Sequence, residues 1–141
     1  MASAPPRDPG HWLHRLTADE WLSAAETELG HCEGALLRRA FRPAVTHARR
    51  AAGMAWNAVL VGAPDEKYGR SYMEHVVALA NDDGAPAEAR QAAATLRDTP
   101  PAPPALVTIG RPDLGPLRAA QTLVAYARAR ASIVPPPITT A

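Results

Sequence analysis

Apolar residues recur every three or four positions between residues 17 and 39, which is the spacing of one face of an α-helix. This apolar face consists of Trp21, Ala25, Leu29, Cys32 and Leu36. The acidic residues of the segment point away from it, and they are Asp19, Glu20, Glu26, Glu28 and Glu33. Thr17 and Glu20 also have the spacing of a capping box, which marks the start of a helix. The pattern therefore predicts a first helix over residues 18–39.

A second apolar face follows Pro43, a residue that fits the first turn of a helix because its missing N–H would be unpaired there. The members of this face are Val45, Ala48, Ala52, Ala55 or Trp56, and Val59. The run from Val61 to Pro64 ends the second helix. Because only about three residues separate the two helices, we expect them to pack side by side as an antiparallel hairpin.

Three further helical segments follow this hairpin. The spacing predicts a short helix over residues 71–81, a fourth helix that opens at Pro86, and a last helix from near Pro116 to before Pro135. The proline-rich residues 99–104 cannot be helical, and residues 106–109 are expected to lie extended across the bundle. We therefore expect an all-α protein, an up-and-down bundle of four or five helices. It would have a flexible arm over residues 1–16, one domain over 17–134 and a disordered tail over 135–141.

The composition adds a few restrictions to this picture. The 141 residues suffice for one domain, and a single cysteine excludes an internal disulfide. A formal net charge of +1 gives no broad electrostatic attraction for nucleic acid. Residues 1–10 lack the apolar core of a signal peptide, and no apolar run approaches membrane-spanning length. The expectation is a cytoplasmic protein without membrane contact.

Charged residues are distributed unevenly along the predicted hairpin. Residues 17–34 contain five acids and no lysine or arginine, whereas residues 38–50 contain five arginines and no acid. The last helix should end beside the turn of the hairpin and extend a basic patch, which consists of Arg38, Arg39, Arg42, Arg49, Arg50, Arg128 and Arg130. Such a patch could hold phosphates. The simpler interpretation, which we prefer, is a solvated surface with cations near a helix C-terminus.

The histidines and the cysteine lack the spacing of a metal site. His11 and His14 lie in the predicted arm, and the neighbours His31 and Cys32 diverge by about 100° on a helix. We therefore expect no metal ion and no cofactor. Cys32 lies on the apolar face of the first helix and is interpreted as a small buried residue, and the tryptophans are interpreted as core residues.

One pair of residues has the types needed for metal-independent acid–base chemistry. Arg70 and His75 are separated by four residues, and their side chains can meet if Arg70 lies in the turn before the third helix. Arg70 would then neutralise a phosphate while His75 acts as general base or acid.

The helical segments resemble HEPN domains, which are all-helical bundles associated with nucleotides and RNA. The stretch at residues 47–60, HARRAAGMAWNAVL, looks like the second helix of that family, an alanine-rich helix that ends in an apolar run. Residues 72–79, YMEHVVAL, are similar to the third helix, and residues 119–131 fit the last one. The resemblance covers residues 18–133 and implies a bundle built on the long hairpin.

The resemblance implies two possible functions. Many ribonucleases of the family use an arginine and a histidine, a few residues apart, as their catalytic pair, and Arg70 and His75 match that spacing. The residue after the arginine is Ser71, where those ribonucleases usually have Asn, Asp or His. A metal-independent, toxin-type endoribonuclease that acts across a dimer cleft is therefore the alternative rather than the leading hypothesis.

The leading hypothesis is a non-catalytic accessory protein that binds a nucleotide, an RNA or a partner protein, as a homodimer or in complex with that partner. Related non-catalytic members offer a groove for a ligand. The polar groups of the groove in this chain would be Arg70, Tyr72, His75 and Arg118, which the topology brings to one end of the bundle. A helical scaffold without any ligand stays open as a third interpretation.

Overall fold

The structure, a computed structural model, describes residues 11–100 and 113–133. Within these ranges the chain forms five α-helices and no strand, so the predicted all-α fold class is confirmed. The helices are α1 (Ala18–Leu37), α2 (Phe41–Gly62), α3 (Tyr72–Ala80), α4 (Ala87–Asp98) and α5 (Gly115–Ile133). None of these helices is long and apolar enough to cross a membrane.

The predicted capping box starts α1. The Thr17 side chain accepts a hydrogen bond from the backbone N–H of Glu20 at 3.2 Å, and the Glu20 carboxylate accepts one from the N–H of Thr17 at 2.9 Å. These two bonds satisfy backbone donors that would otherwise lack a partner in the first turn. The local signal in the sequence therefore sets this helix boundary correctly.

The connection between α1 and α2 is short, as predicted. α1 ends at Leu37, slightly before the predicted residue 39, because Arg39 adopts a left-handed backbone conformation with φ of 58°. α2 begins at Phe41 and leaves Pro43 in its first turn. The two long helices pack against each other and form the centre of the bundle.

Small side chains allow the helices to approach closely. Ala25 of α1 and Ala48 of α2 are completely buried. α3 packs against α2 at Gly53, where any Cβ atom would collide with the side chain of Tyr72. α4 packs against α3 and α5, and α5 also packs against α2, so the shorter helices cover the hairpin.

The segment just before α1 is part of the fold, which corrects the predicted flexible arm over residues 1–16. Trp12–Arg15 form a 3-10 turn in which Leu13 is 4% exposed. Trp21 fixes this turn, because its Nε1 donates a hydrogen bond of 2.9 Å to the backbone oxygen of Leu13. The other parts of the predictions, for residues 1–10, 106–109 and 134–141, lie outside the described residues.

Candidate functional site

His75 lies on α3 inside the core rather than in an open groove. Its exposed fraction is 0%, and both of its ring nitrogens have partners within the protein. Nδ1 lies 2.6 Å from the backbone oxygen of Tyr68, and Nε2 lies 2.7 Å from Oδ1 of Asn57. The Trp12 ring stacks on the imidazole with 6.3 Å between the ring centres. His75 therefore joins α3 by hydrogen bonds to α2 and to the segment between α2 and α3, and by ring stacking to the 3-10 turn before α1.

Burial also determines the protonation of His75. Loss of contact with water disfavours the charged ring, so the pKa of His75 lies below its usual 6.5, although the Tyr68 carbonyl and Glu74 favour the charged form. The neutral ring donates from Nδ1 to the Tyr68 carbonyl and leaves Nε2 as an acceptor. Nε2 then faces the side-chain amide of Asn57.

Arg70 lies in the turn before α3, as the predicted pair requires. Ser71 caps α3 by accepting a hydrogen bond of 3.0 Å from the backbone N–H of Glu74, so Arg70 precedes the helix. The Arg70 side chain is exposed and lines a groove of about 500 Å³ beside Trp12. The lining of this groove does not include His75. The structure therefore gives Arg70 and His75 no common surface.

The four residues predicted to form one ligand site are separated. Tyr72 is half-buried against Gly53, and Arg118 is exposed on α5, outside the groove that Arg70 lines. A general acid or base must come within hydrogen-bonding distance of its substrate. The burial of His75 keeps its ring out of reach of a substrate at the surface. This geometry corrects the predicted pairing of Arg70 with His75 and the predicted shared groove.

The predicted basic patch is partly engaged within the protein. Arg49 donates two hydrogen bonds of 2.9 Å to backbone oxygens at the C-terminal end of α4. Arg50 pairs with Glu28, and Arg128 pairs with Glu26. The other predicted members are exposed, and they are Arg38, Arg39, Arg42 and Arg130. Helix-end and ion-pair contacts thus engage Arg49, Arg50 and Arg128.

A second polar cluster, not predicted from the sequence, lies between α1 and α2. Its centre is Glu28, which is only 7% exposed. His47 of α2 places Nδ1 at 2.5 Å from Oε2 of Glu28, and Arg50 places Nη2 at 3.2 Å from Oε1. His31, one turn after Glu28 on α1, has Nδ1 at 3.8 Å from Oε2. We call Glu28, His31, His47 and Arg50 the hairpin cluster.

The register of the hairpin explains this cluster. Glu28 lies off the apolar face of α1, but on the flank that α2 covers. Glu28 and Arg50 each lie 11 residues from Arg39, so an antiparallel hairpin with its turn there brings them to the same level. Residues three apart share a helix face, which adds His31 and His47. This symmetry about the turn is the signal that could have identified the cluster from the sequence.

The hairpin cluster opens to solvent on one side. The side chain of Glu28 is 9% exposed, whereas those of His47 and His31 are 27% and 56% exposed. Tyr72 of α3 lies nearby, and burial raises the pKa of its phenol, which Arg50 counteracts. The hairpin cluster therefore has a buried carboxylate and partly exposed imidazoles. The phenol of Tyr72 is its neutral neighbour.

An acidic groove of about 780 Å³ runs along the outer side of α3, and we call it the α3 groove. Met73, Val77 and Ala78 form its apolar floor. Its charged residues are Glu66, Lys67, Glu74, Asp82 and Asp83. Four carboxylates against one ammonium group make the surface of the groove negative.

No family model, curated protein or solved structure matches the chain. The resemblance to HEPN domains, which rests on helix order and on alanine-rich composition, stays a prediction.

Proposed function

We propose that the chain is a non-catalytic, HEPN-like binding protein, and that its ligand is a partner protein rather than a nucleotide or an RNA. The observation that carries this proposal is the α3 groove, with its apolar floor and four carboxylates. Exposed apolar surface with a charged border is typical of protein interaction sites, and an amphipathic helix of opposite charge fits such a groove. The matching segment of the partner is a basic amphipathic helix.

Charge argues against phosphate-bearing ligands in this region. A phosphate in the α3 groove would meet mainly carboxylates, which repel it. Arg70 and Trp12 of the neighbouring groove are the groups that a nucleotide could use, but Asp65, Glu66 and Glu74 line the same groove. The basic patch offers RNA fewer arginines than the sequence suggests, because three of them are engaged within the protein.

The endoribonuclease alternative requires His75 to exchange a proton with RNA. His75 is fully buried, and both ring nitrogens are occupied by internal partners. The ring would have to leave the core before it could act, at the cost of both hydrogen bonds.

Charge also favours a different protein over a second copy of this chain as the occupant of the groove. A twofold dimer places the same surface patch against itself, and an acidic groove would then face another acidic groove. Association of two copies through another face stays a prediction. A cytoplasmic location is part of the proposal, because the cysteine that the structure describes is free and buried.

Binding of synthetic helical peptides, followed by fluorescence anisotropy, tests this proposal. We expect an amphipathic peptide of leucine and lysine to bind, and a leucine–glutamate peptide of equal length not to bind. Val77→Lys places a cation on the groove floor and should weaken binding of the lysine peptide at least about tenfold. Leu37→Lys changes another exposed apolar residue, at the end of α1, and should leave the affinity unchanged.

Two kinds of result would contradict the proposal. Equal affinity for both peptides, or equal weakening by both variants, would show that binding does not depend on the groove. Binding of polyuridylate or AMP in place of the lysine peptide would favour the nucleic-acid interpretations. If the protein cleaves polyuridylate in the presence of EDTA and Arg70→Ala abolishes this cleavage, the ribonuclease alternative is established. The Arg70→Ala variant should fold, because Arg70 is exposed.

A further inference from the structure

We propose that the hairpin cluster binds one divalent transition-metal ion of the zinc class, with Glu28, His31 and His47 as the protein ligands. The proposal is independent of partner binding, because it uses residues outside the α3 groove. It departs from the expectation of no metal site. His31 meets His47 across the hairpin, although the two residues are distant in the sequence.

The three donor groups lie within reach of a single ion. One ligand atom from each residue can be chosen so that all lie within 4.8 Å of one another. A zinc ion at about 2.0–2.1 Å from each ligand in tetrahedral geometry would hold the ligands about 3.3 Å apart. The 3.8 Å between His31 Nδ1 and Glu28 Oε2 must therefore close, and the 2.5 Å between His47 Nδ1 and Oε2 must open. Both imidazoles are partly exposed, so changes of about 1 Å need only small side-chain rotations.

The helices and Arg50 hold the carboxylate in a suitable orientation. Glu28 and His31 stand three residues apart on one face of α1, an arrangement by which helical bundles present a carboxylate and an imidazole to the same ion. Arg50 bonds Oε1 and leaves Oε2 for the ion, as outer-shell partners of metal ligands do. The carboxylate lies between the guanidinium group and the ion, which limits their repulsion.

The donor set selects the class of metal. Two imidazoles and one carboxylate suit Zn²⁺, Co²⁺ or Ni²⁺, whereas Mg²⁺ and Ca²⁺ prefer oxygen ligands throughout. Three protein ligands leave a further coordination position, and the exposure of His31 indicates that this position opens toward solvent. An ion held in this way can bind water or an external ligand.

His31 distinguishes this proposal from a simple buried ion pair. In an ion pair without metal, Arg50 and His47 already give both carboxylate oxygens of Glu28 a partner. The Nδ1 of His31 is then too far from the carboxylate for a hydrogen bond, and the side chain is more than half exposed, so it would be dispensable. Apart from an edge-on contact between the His31 and His47 rings, with 5.1 Å between the ring centres, only metal binding gives His31 a role in the cluster.

Calorimetric titration with ZnCl2 of the full chain, purified without a polyhistidine tag, tests the proposal. We expect one ion per chain and a loss of affinity of at least about tenfold in His31→Ala. The stability of this variant without metal should equal that of the wild type, because His31 is exposed. His11→Ala removes another exposed histidine and should keep full affinity for zinc.

Co²⁺ provides a second readout, because a four- or five-coordinate cobalt site absorbs visible light more strongly than the hydrated ion. We expect this absorption in the wild type, and its loss in His31→Ala and in Glu28→Gln. The absence of saturable zinc binding, or an equal loss of affinity in His11→Ala and His31→Ala, would overturn the proposal. Displacement of zinc by equimolar Mg²⁺ would overturn the assigned metal class. None of these results affects peptide binding at the α3 groove, so the two proposals can be judged separately.

Discussion

His75 and the hairpin cluster are both polar groups buried between helices, and they differ in what their surroundings leave open. His75 is completely buried, and each ring nitrogen has an internal partner. Glu28 is almost as deep, but the imidazoles of His31 and His47 beside it remain partly exposed. A buried polar group with a full set of internal partners stabilises the fold, whereas one bordered by accessible donors is open to a ligand. Residue type and spacing alone do not distinguish these two cases.

The largest effect is expected for His75→Ala. Loss of the ring opens a space in the core and removes the partner of Asn57 and of the Tyr68 carbonyl, so the free energy of unfolding should fall by about 3–5 kcal/mol. His31→Ala should change it by less than about 0.5 kcal/mol. Urea unfolding followed by circular dichroism measures both values. Equal stability of the two variants would remove the distinction between the two histidines.

The contact between α2 and α3 gives the next largest effect. Gly53→Ala would force a Cβ atom into Tyr72 and displace α3, which carries His75, so we expect a loss of about 2–3 kcal/mol. Gly30→Ala is the matched control, because open space surrounds Gly30 on α1. That variant should gain about 0.5–1 kcal/mol from the higher helix propensity of alanine. Thermal unfolding midpoints that shift in the same direction would contradict this packing.

Glu28→Gln tests whether the Glu28 carboxylate contributes to stability as a buried group. The substitution keeps the shape of the side chain but removes the charge that faces His47 and Arg50, which should cost about 1–2 kcal/mol. Glu26→Gln breaks an exposed pair with Arg128 and should cost less than about 0.5 kcal/mol. Chemical unfolding of both variants without metal provides the comparison. Similar losses would mean that Glu28 behaves as an ordinary surface carboxylate.

The smallest effect concerns pH. The pKa of His75 is lower in the folded chain than its usual 6.5, so the unfolded chain binds this proton more readily. The stabilisation from neutral His75 is therefore complete above about pH 6.5 and is lost as the pH falls toward the folded pKa, with a slope of at most about 1.4 kcal/mol per pH unit. His75→Gln should remove this contribution. Unfolding free energies measured from about pH 8 down to pH 5 check it, and identical pH profiles for the two proteins would contradict it.

The helices could be predicted because their signals are local. The capping box at Thr17 and Glu20, the proline at position 43 and the apolar spacing each act within a few residues. The packing of Trp12–Arg15 was not predicted, because a 3-10 turn of this length has no periodicity and its position depends on the distant Trp21.

The two polar sites could be predicted only in part. His75 lies three residues after Tyr72 and four before Leu79, so it belongs to the buried face of α3. That pattern favours a core histidine, whereas the spacing from Arg70 favours a catalytic one. The burial of Glu28 depends on which flank of α1 faces α2, a tertiary property that the apolar stripe does not specify.

The most direct test is an NMR measurement of the histidine rings. Spectra that correlate the ring protons and nitrogens, recorded before and after one equivalent of Zn²⁺, show whether His75 is closed to a ligand and the hairpin cluster is open to one. We expect His75 as the neutral ring protonated at Nδ1, with signals that zinc leaves unchanged, and signals of His31 and His47 that shift together. Signals of His75 that respond to zinc, or signals of His31 and His47 that do not, would contradict this distinction.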